Sequence, residues 1–324
     1  MIHSLPGQPC WDVTFDQYSG YIVTDKFRGR ALFYYFVEAQ TENKLSMPLT
    51  LWLGGGHDCS SAAIGAFYEH GPFRPRKDGR LEKNKFSWNS ESNMLYIDTP
   101  IGVVFSYSNT SSDYKIWNDT MTARENMKFL RKWFNEFSEY RDTDFYIAGD
   151  SYGAKADPCL LDWIDDYITR PDVQKALHAN ATAFPYSWNS IFQGNRDTNL
   201  YNLAIDILPT LSTLLKSDIP VLIYSGDQDL RIPVTHTRIL ANELASRLEL
   251  NTLEMNEPWY DGNQIGGWSV TFGKLGEGKK GANLTFATVR GGAHFVPSSS
   301  PSQALTLFKA FLKGSSPPKN HSDH

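Results

Sequence analysis

The chain is short of cysteine. Its 324 residues hold three, Cys10, Cys59 and Cys159. An odd number allows at most one intrachain disulfide and leaves a thiol over; buried free thiols fit as well as a bridge. None lies in a C-x-x-C or Cys/His spacing, so neither a metal site nor any other cofactor is expected. There is no run of Lys and Arg, and the net charge is −5, which argues against nucleic acid as a partner. No apolar run approaches the roughly 18 residues of a membrane span, so no membrane partner is expected. The opening Met1-Ile-His-Ser-Leu-Pro-Gly7 lacks a charged segment followed by an apolar one. No signal peptide is visible, which fits a cytosolic chain or one whose leader has been removed. No internal repeat is found. An apolar content of 41% and an aromatic content of 14% suffice for a large core, and the length fits one α/β domain. Five N-x-[ST] sequons, at Asn109, Asn118, Asn180, Asn283 and Asn320, permit secretion without requiring it.

The most informative stretch is Asp144-Phe-Tyr-Ile-Ala-Gly-Asp-Ser-Tyr-Gly153. A mostly apolar strand runs into Gly149-Asp150-Ser151-Tyr152-Gly153, a G-x-S-x-G pattern. The glycines allow a sharp turn that lifts the serine hydroxyl off the end of a sheet. A serine is a weak nucleophile near neutral pH, so it needs a histidine to take its proton and a carboxylate to hold that histidine.

Strands are expected over 18–24, 31–37, 48–53, from 93, and over 219–225 and 283–289, with a hairpin from Trp259 to Trp268. Helices are expected over 119–137, from Pro158 (with Asp157 as N-cap) to 168, and over 173–179, 199–215, 237–248 and 301–312. Met121, Met127, Leu130, Trp133 and Phe134 fall near helical spacing and are expected in the core. Alternating strands and helices imply a mostly parallel sheet covered on both faces, with ligands at the carboxyl ends of the strands. Ser151, the pair Asp227/Asp229 and His294 all lie just past such ends, in the order Ser…Asp…His of the α/β hydrolases. Asp229 is the favoured acid because Leu230-Arg-Ile-Pro233 leads into the next element; Asp227 suits a local turn. Gly54-Gly-Gly56, after another buried strand, suits the second half of an oxyanion hole.

These residues sit within longer matches. Leu5-Pro-Gly-Gln-Pro, Tyr18-Ser-Gly-Tyr, Leu51-Trp-Leu, Cys59-Ser-Ser, Glu69-His-Gly-Pro-Phe73, Phe105-Ser-Tyr-Ser-Asn-Thr-Ser-Ser, Arg170-Pro-Asp-Val-Gln-Lys-Ala-Leu-His, Tyr224-Ser-Gly-Asp, Gly266-Gly-Trp-Ser and Pro301-Ser-Gln-Ala-Leu span nearly the whole chain. Together they resemble the serine carboxypeptidases, and more closely the plant serine carboxypeptidase-like proteins.

The resemblance implies an α/β-hydrolase fold and release of C-terminal residues from peptide substrates at acidic pH, in a vacuole or outside the cell. It implies Ser151 as nucleophile, His294 as base and Asp229 as its orienting acid. The N–H groups of Gly56 and Tyr152 would bind the oxyanion. Glu69, Asp150 and Gly55 would receive the substrate's carboxylate, which requires a shared proton among the acids. Some plant relatives pass the acyl group to an alcohol, so acyl transfer is an alternative. Self-association as a homodimer is left open.

The chain departs from the family at three places. The loop Asn-Gly-Gly-Pro-Gly-Cys is here Gly54-Gly-Gly-His57-Asp58-Cys59. The segment that follows the serine, with its helix, core strand and cap, is missing: Gly153-Ala-Lys-Ala runs straight into Asp157-Pro-Cys. A cysteine that would partner Cys159 is absent. The expectation is therefore one hydrolase domain over 1–314 with an internal deletion near 154–157 and a loose polar tail over 315–324. A catalytically silent, shortened chain is a third alternative.

Overall fold

A computed structural model describes residues 1–9, 13–55, 59–115, 118–150, 158–179, 206–274 and 282–319, without the side chains of 158–161. The chain divides into two compact units, Met1–Thr198 and Asn199–His324.

The first unit is built on a five-stranded sheet. Its strands are β1 (Gln17–Asp25), β2 (Arg30–Val37), β3 (Leu49–Leu53), β6 (Asn93–Ile97) and β7 (Phe145–Gly149), in the order β1-β2-β6-β3-β7. Two short strands, β4 (Phe73–Pro75) and β5 (Leu81–Lys83), pair separately. β2 is buried at every position, as the unbroken run Ala31-Leu-Phe-Tyr-Tyr-Phe-Val requires of a strand covered on both faces. On one face Leu32, Tyr34 and Phe36 pack with Leu51, Leu95 and Ile97 against helix α1 (Asp119–Glu136). On the other, Tyr35 stacks on Tyr96 and on Phe67 of a π-helix, Ser61–Glu69. Helices α2 (Pro158–Ile168) and α3 (Pro171–Ala176) follow, and Arg170-Pro171 breaks between them as expected. Tyr167 of α2 meets Phe67.

The second unit carries β8 (Val221–Gly226), β9 (Asn251–Asp261), β10 (Gln264–Gly273) and β11 (Leu284–Val289) in the order β8-β11-β10-β9. Helices α4 (Leu208–Lys216) and α5 (Val234–Arg247) bury Leu208, Leu215, Leu244 and Ala245 against Phe272 and Leu284. A short helix α6 (Val296–Ser299) leads into α7 (Pro301–Leu312). Gly267 is required by contact: a Cβ there would fall 1.8 Å from the Thr288 carbonyl oxygen.

Three expectations are corrected. The sheets are mixed, not mostly parallel. β3 runs parallel to β6 and β7, and β8 to β11, but β1/β2, β2/β6, β9/β10 and β10/β11 are antiparallel. The tight hairpins at 26–29 and 262–263 impose the β1/β2 and β9/β10 pairings, since only antiparallel neighbours can be joined so briefly. Met127 is exposed, not core. The buried stripe of α1 is Glu125, Phe129, Leu130 and Trp133, and Met127 lies off it. The tail is not loose over 315–319: the Tyr260 N–H donates to the Pro318 carbonyl at 2.8 Å, and Pro317 is buried. Residues 320–324 lie outside the described residues.

Glu125 reaches the buried face of α1 because it is paired. The Arg30 guanidinium donates to both oxygens of Asp113, each at 2.7 Å, and to Glu125 at 3.4 Å. Arg28 and the Ser108 hydroxyl complete the shell of Asp113, whose carboxyl is held well below the usual range, chiefly by Arg30. The network joins the β1–β2 hairpin, the 105–115 loop and α1. Removing Asp113 takes the two short bonds from the buried Arg30 and leaves it only the longer contact to Glu125 among these acids, so Asp113→Ala should cost about 3 kcal/mol in urea unfolding. A change below about 1 kcal/mol would show that water can replace the pair.

Candidate active site

In the first unit the strand ends converge on an acid pair. Leu53, the last residue of β3, lies opposite Gly149 of β7 in register. The backbone N–H of Gly55, just past β3, donates to Oδ1 of Asp150, just past β7. Oδ2 of Asp150 is sealed from solvent with no hydrogen-bond partner among the described residues. Glu69 ends the π-helix; it is 1% exposed, and neither of its carboxyl oxygens has a hydrogen-bond partner among the described residues. Burial pushes the Glu69 carboxyl well above the usual range, and the charge of Asp150 pushes it further. Burial pushes Asp150 up to about 7, against the Gly55 N–H, which lowers it. Two acids in this setting cannot both be ionised without a cation, so they hold at least one proton in mild acid.

The π-helix that presents Glu69 has its own supports. Ser60 caps it by accepting the Ala63 N–H at 2.8 Å. The Ser60 hydroxyl in turn donates to Asp98 at 2.6 Å, and Asp98 also accepts the Ala62 N–H. Asp98 is fully buried past the end of β6; burial pushes it up to about 6, with Ser60 and the backbone opposing. Gly65 lets the helix lie on Trp52 of β3, where a Cβ would fall 2.6 Å from the indole. At its far end the His70 N–H donates to the Gly65 carbonyl, and Arg74 donates to the Glu69 carbonyl at 3.0 Å. His70 is held neutral, mainly by burial, and stacks on Trp88 with centroids 4.1 Å apart.

In the second unit β8 and β11 run parallel and end side by side. Their exit turns interlock: the Gln228 N–H donates to the Gly292 carbonyl, and Gly226 leaves no room for a Cβ, which would lie 2.1 Å from that oxygen. This closure brings His294 Nδ1 to 2.7 Å from Asp229 Oδ2. The other oxygen of Asp229 accepts the N–H groups of Arg231 and Ile232. An Nδ1–H donor to Asp229 leaves Nε2 as the basic nitrogen; that atom is buried and has no hydrogen-bond partner among the described residues. Asp227 accepts the Gly291 N–H at 2.8 Å and so shapes the turn, while Asp229 faces the histidine.

Thus the structure places Gly55 with Asp150, Glu69 within electrostatic reach of Asp150, and Asp229 with His294. Ser151, Gly56 and Tyr152 lie outside the described residues, as do Cys10 and the side chain of Cys159. Gly65 and Asp98 escaped the sequence reading, and Ser60 and His70 entered it only inside the matched stretches Cys59-Ser-Ser and Glu69-His-Gly-Pro-Phe73, with no role. The one available signal was an acid, Asp98, at the end of an apolar strand. Among the described residues no group of His, Cys, Asp and Glu could hold a metal ion, and no helix is long and apolar enough to cross a membrane.

Comparison with known proteins matches the chain to the serine carboxypeptidase family model in two stretches, 6–164 and 153–314. Serine carboxypeptidase-like 45 of Arabidopsis thaliana is 34% identical, over 96% of this chain and 91% of the relative. Serine carboxypeptidase-like 46 of the same plant is also 34% identical, over 97% of this chain and 91% of the relative. The first alignment runs over 434 positions, so at least 110 of them (434 less 324) have no counterpart here. Among solved structures, Kex1Δp, a prohormone-processing carboxypeptidase from Saccharomyces cerevisiae, superposes with a TM-score of 0.69 at 16% identity, covering 92% of this chain and 91% of that one. Its likeness shows the α/β-hydrolase fold; the homodimer left open by the sequence gains no support from these matches. With the motifs, the strand-end acids and these matches together, the chain belongs to the serine carboxypeptidase family of hydrolases.

Proposed function

We propose that this protein is a serine-type carboxypeptidase that releases C-terminal residues from peptides in mild acid. Ser151 attacks the scissile carbonyl while His294 Nε2 takes its proton, and Asp229 holds the imidazole and balances its charge. The N–H groups of Gly56 and Tyr152 receive the oxyanion. His294 then protonates the leaving amine, and water releases the acyl group by the same route.

The observation that carries the reading is the buried pair Glu69 and Asp150, with three carboxyl oxygens unpartnered among the described residues; burial raises the pKa of both. A protonated acid can donate to a substrate carboxylate, which an ionised pair would repel. The pair thus selects the end of a peptide and links that selection to pH. Transfer of the acyl group to an alcohol uses the same serine chemistry but has no need of a site for a free carboxylate. A secreted or vacuolar location goes with this reading; the sequon residues Asn109 and Asn118 are exposed.

A second reading, a chain silenced by an internal deletion, has its own support. The family model matches in two stretches that meet at 153–164. More than a hundred aligned positions of a relative are missing. On β7, which pairs only with β3 among the described residues, Ile147 is 62% exposed.

Two measurements bear on the acid pair. A carboxyl whose pKa is higher folded than unfolded binds its proton more tightly in the folded state. It therefore costs stability as pH rises from the unfolded value near 4 through about 7. The thermal midpoint should be higher at pH 5 than at pH 8, by the equivalent of a few kcal/mol, and the gap should shrink in Asp150→Asn. An unchanged gap would place the proton elsewhere. In turnover, KM for blocked dipeptides with a free carboxylate should rise about tenfold or more as pH passes 7. KM for the matching amides should stay level. Glu69→Gln, which keeps a neutral donor at all pH, should flatten the rise; the same pH profile in wild type and variant would contradict this role.

A further inference from the structure

Asp98 holds the start of the π-helix, and more than Glu69 hangs from that start. Its Oδ1 accepts the Ser60 hydroxyl at 2.6 Å and the Ala62 N–H at 3.1 Å, and its Oδ2 accepts the Phe105 N–H at 3.5 Å. Every hydrogen bond of this carboxyl among the described residues is one it accepts. The Ser60 contact has the length of a hydroxyl donating to a charged oxygen. The arrangement suits the ionised form, although the group is fully buried. The turn that delivers the Phe105 N–H is itself strained: Val104 holds φ +37°, a left-handed conformation that a β-branched residue avoids.

Two paths lead from Asp98 to the acid pair. One runs along the helix and ends at Glu69. The other passes through Ser61, the residue after the capping serine. Its hydroxyl accepts the Gly54 N–H at 2.9 Å, and the next N–H, that of Gly55, donates to Asp150. One buried carboxyl thus stands behind the placement of both acids.

We propose that Asp98 is a positioning residue for the carboxylate site: ionised, it fixes the start of the π-helix and the backbone at Gly54 and Gly55, and on protonation it releases both. The site then works in a window of pH, with Asp98 ionised and the acid pair still holding a proton. The proposal rests on the function proposed above.

The groups around Asp98 leave its charge to its own shell. The π-helix presents Ser60, Ser61 and Ala62, with Glu69 at its far end. From β2 the Phe33 carbonyl takes the Asp98 N–H, and the one cation of that strand, Arg30, is bonded to Asp113 and Glu125. β3 carries no charge over Leu49–Leu53. On β6 the titratable group is Tyr96, bonded to His70. The turn after Asp98 presents Phe105 and Ser106, and Asn126 of α1 takes the Thr99 hydroxyl. Burial pushes Asp98 up to about 6, against its donors, and Asp150 up to about 7. Below about 6 Asp98 gains a proton that faces donors; above about 7 the pair loses the proton it needs.

The test is isothermal titration calorimetry with N-acetyl-phenylalanine, N-acetyl-leucine and Nα-acetyl-lysine, each beside its amide, so that no turnover is required. For the free acids Kd should be lowest near pH 6.5 and rise about tenfold towards pH 5, where the ligand's own carboxyl, at about 3.5, is still ionised. The amides should show no such acid limb. Asp98→Asn, a neutral side chain at every pH, should already have the raised Kd at pH 6.5, lose the acid limb and keep the rise above pH 7. Ser61→Ala, which cuts the link to Gly54 and leaves Asp98 in place, should weaken the acid limb. A level Kd from pH 6.5 to 5 in the wild type overturns the proposal. So does an acid limb of wild-type size in both variants, or in Ser61→Ala alone if Asp98→Asn does not fold. Either result leaves the carboxypeptidase reading standing. Acids that bind no better than their amides at any pH overturn the carboxylate site, and that reading with it.

Discussion

A carboxyl group buried in an apolar interior must find a cation, find donors or keep its proton, and among the described residues Glu69 with Asp150 has only the last course fully open. The surrounding structure follows from holding these two groups there. Asp150 needs β3 and β7 in register so that the Gly55 N–H can reach it. Glu69 needs a helix laid flat on Trp52, which needs Gly65, a capping serine at 60 and an acid at 98 to hold that serine. The carbonyl of Glu69 is held by Arg74 and the residue after it by stacked rings. Most of these contacts do not touch a substrate. They keep two acids dry and close, which makes their proton available.

The second unit solves a different problem with similar means. A histidine works as a base only if one nitrogen is committed and the other is free. Asp229 commits Nδ1, and two backbone N–H groups commit the remaining oxygen of Asp229. Glycines at 226 and 292 let the two exit turns approach closely enough for this. Asp227, one turn position away, is spent on the Gly291 N–H.

Much of this was legible in the sequence where a residue's role is set by its neighbours along the chain. The strand-end position of Asp229 and His294, the break at Arg170-Pro171 and the start of α7 at Pro301 are local signals, and the structure follows them. What was illegible depends on residues far apart. Met127 looks like core by spacing, but α1 is turned by Glu125, whose partner Arg30 lies 95 residues earlier. The parallel sheet expected from alternating elements gave way to mixed sheets because two hairpins reverse the chain. The tail was read as loose because Pro317-Pro318 and serines suit a linker, and only the exposed edge of β9 shows what it pairs with. Asp98 and Gly65 carry no motif at all, and Ser60 lies in a matched stretch that gives it no role.

The central claim is that Ser151, Asp229 and His294 work as one nucleophilic system although more than a hundred aligned positions of a relative have no counterpart in this chain. A phosphonylating reagent, which bonds its phosphorus to the serine oxygen and loses fluoride, reports on this without any assumption about substrate. Intact mass after treatment of the folded chain with a fluorophosphonate, beside Ser151→Ala, should show one adduct on the parent and none on the variant. No adduct on a parent shown by circular dichroism to be folded would contradict the account and identify the chain as a silent member of its family.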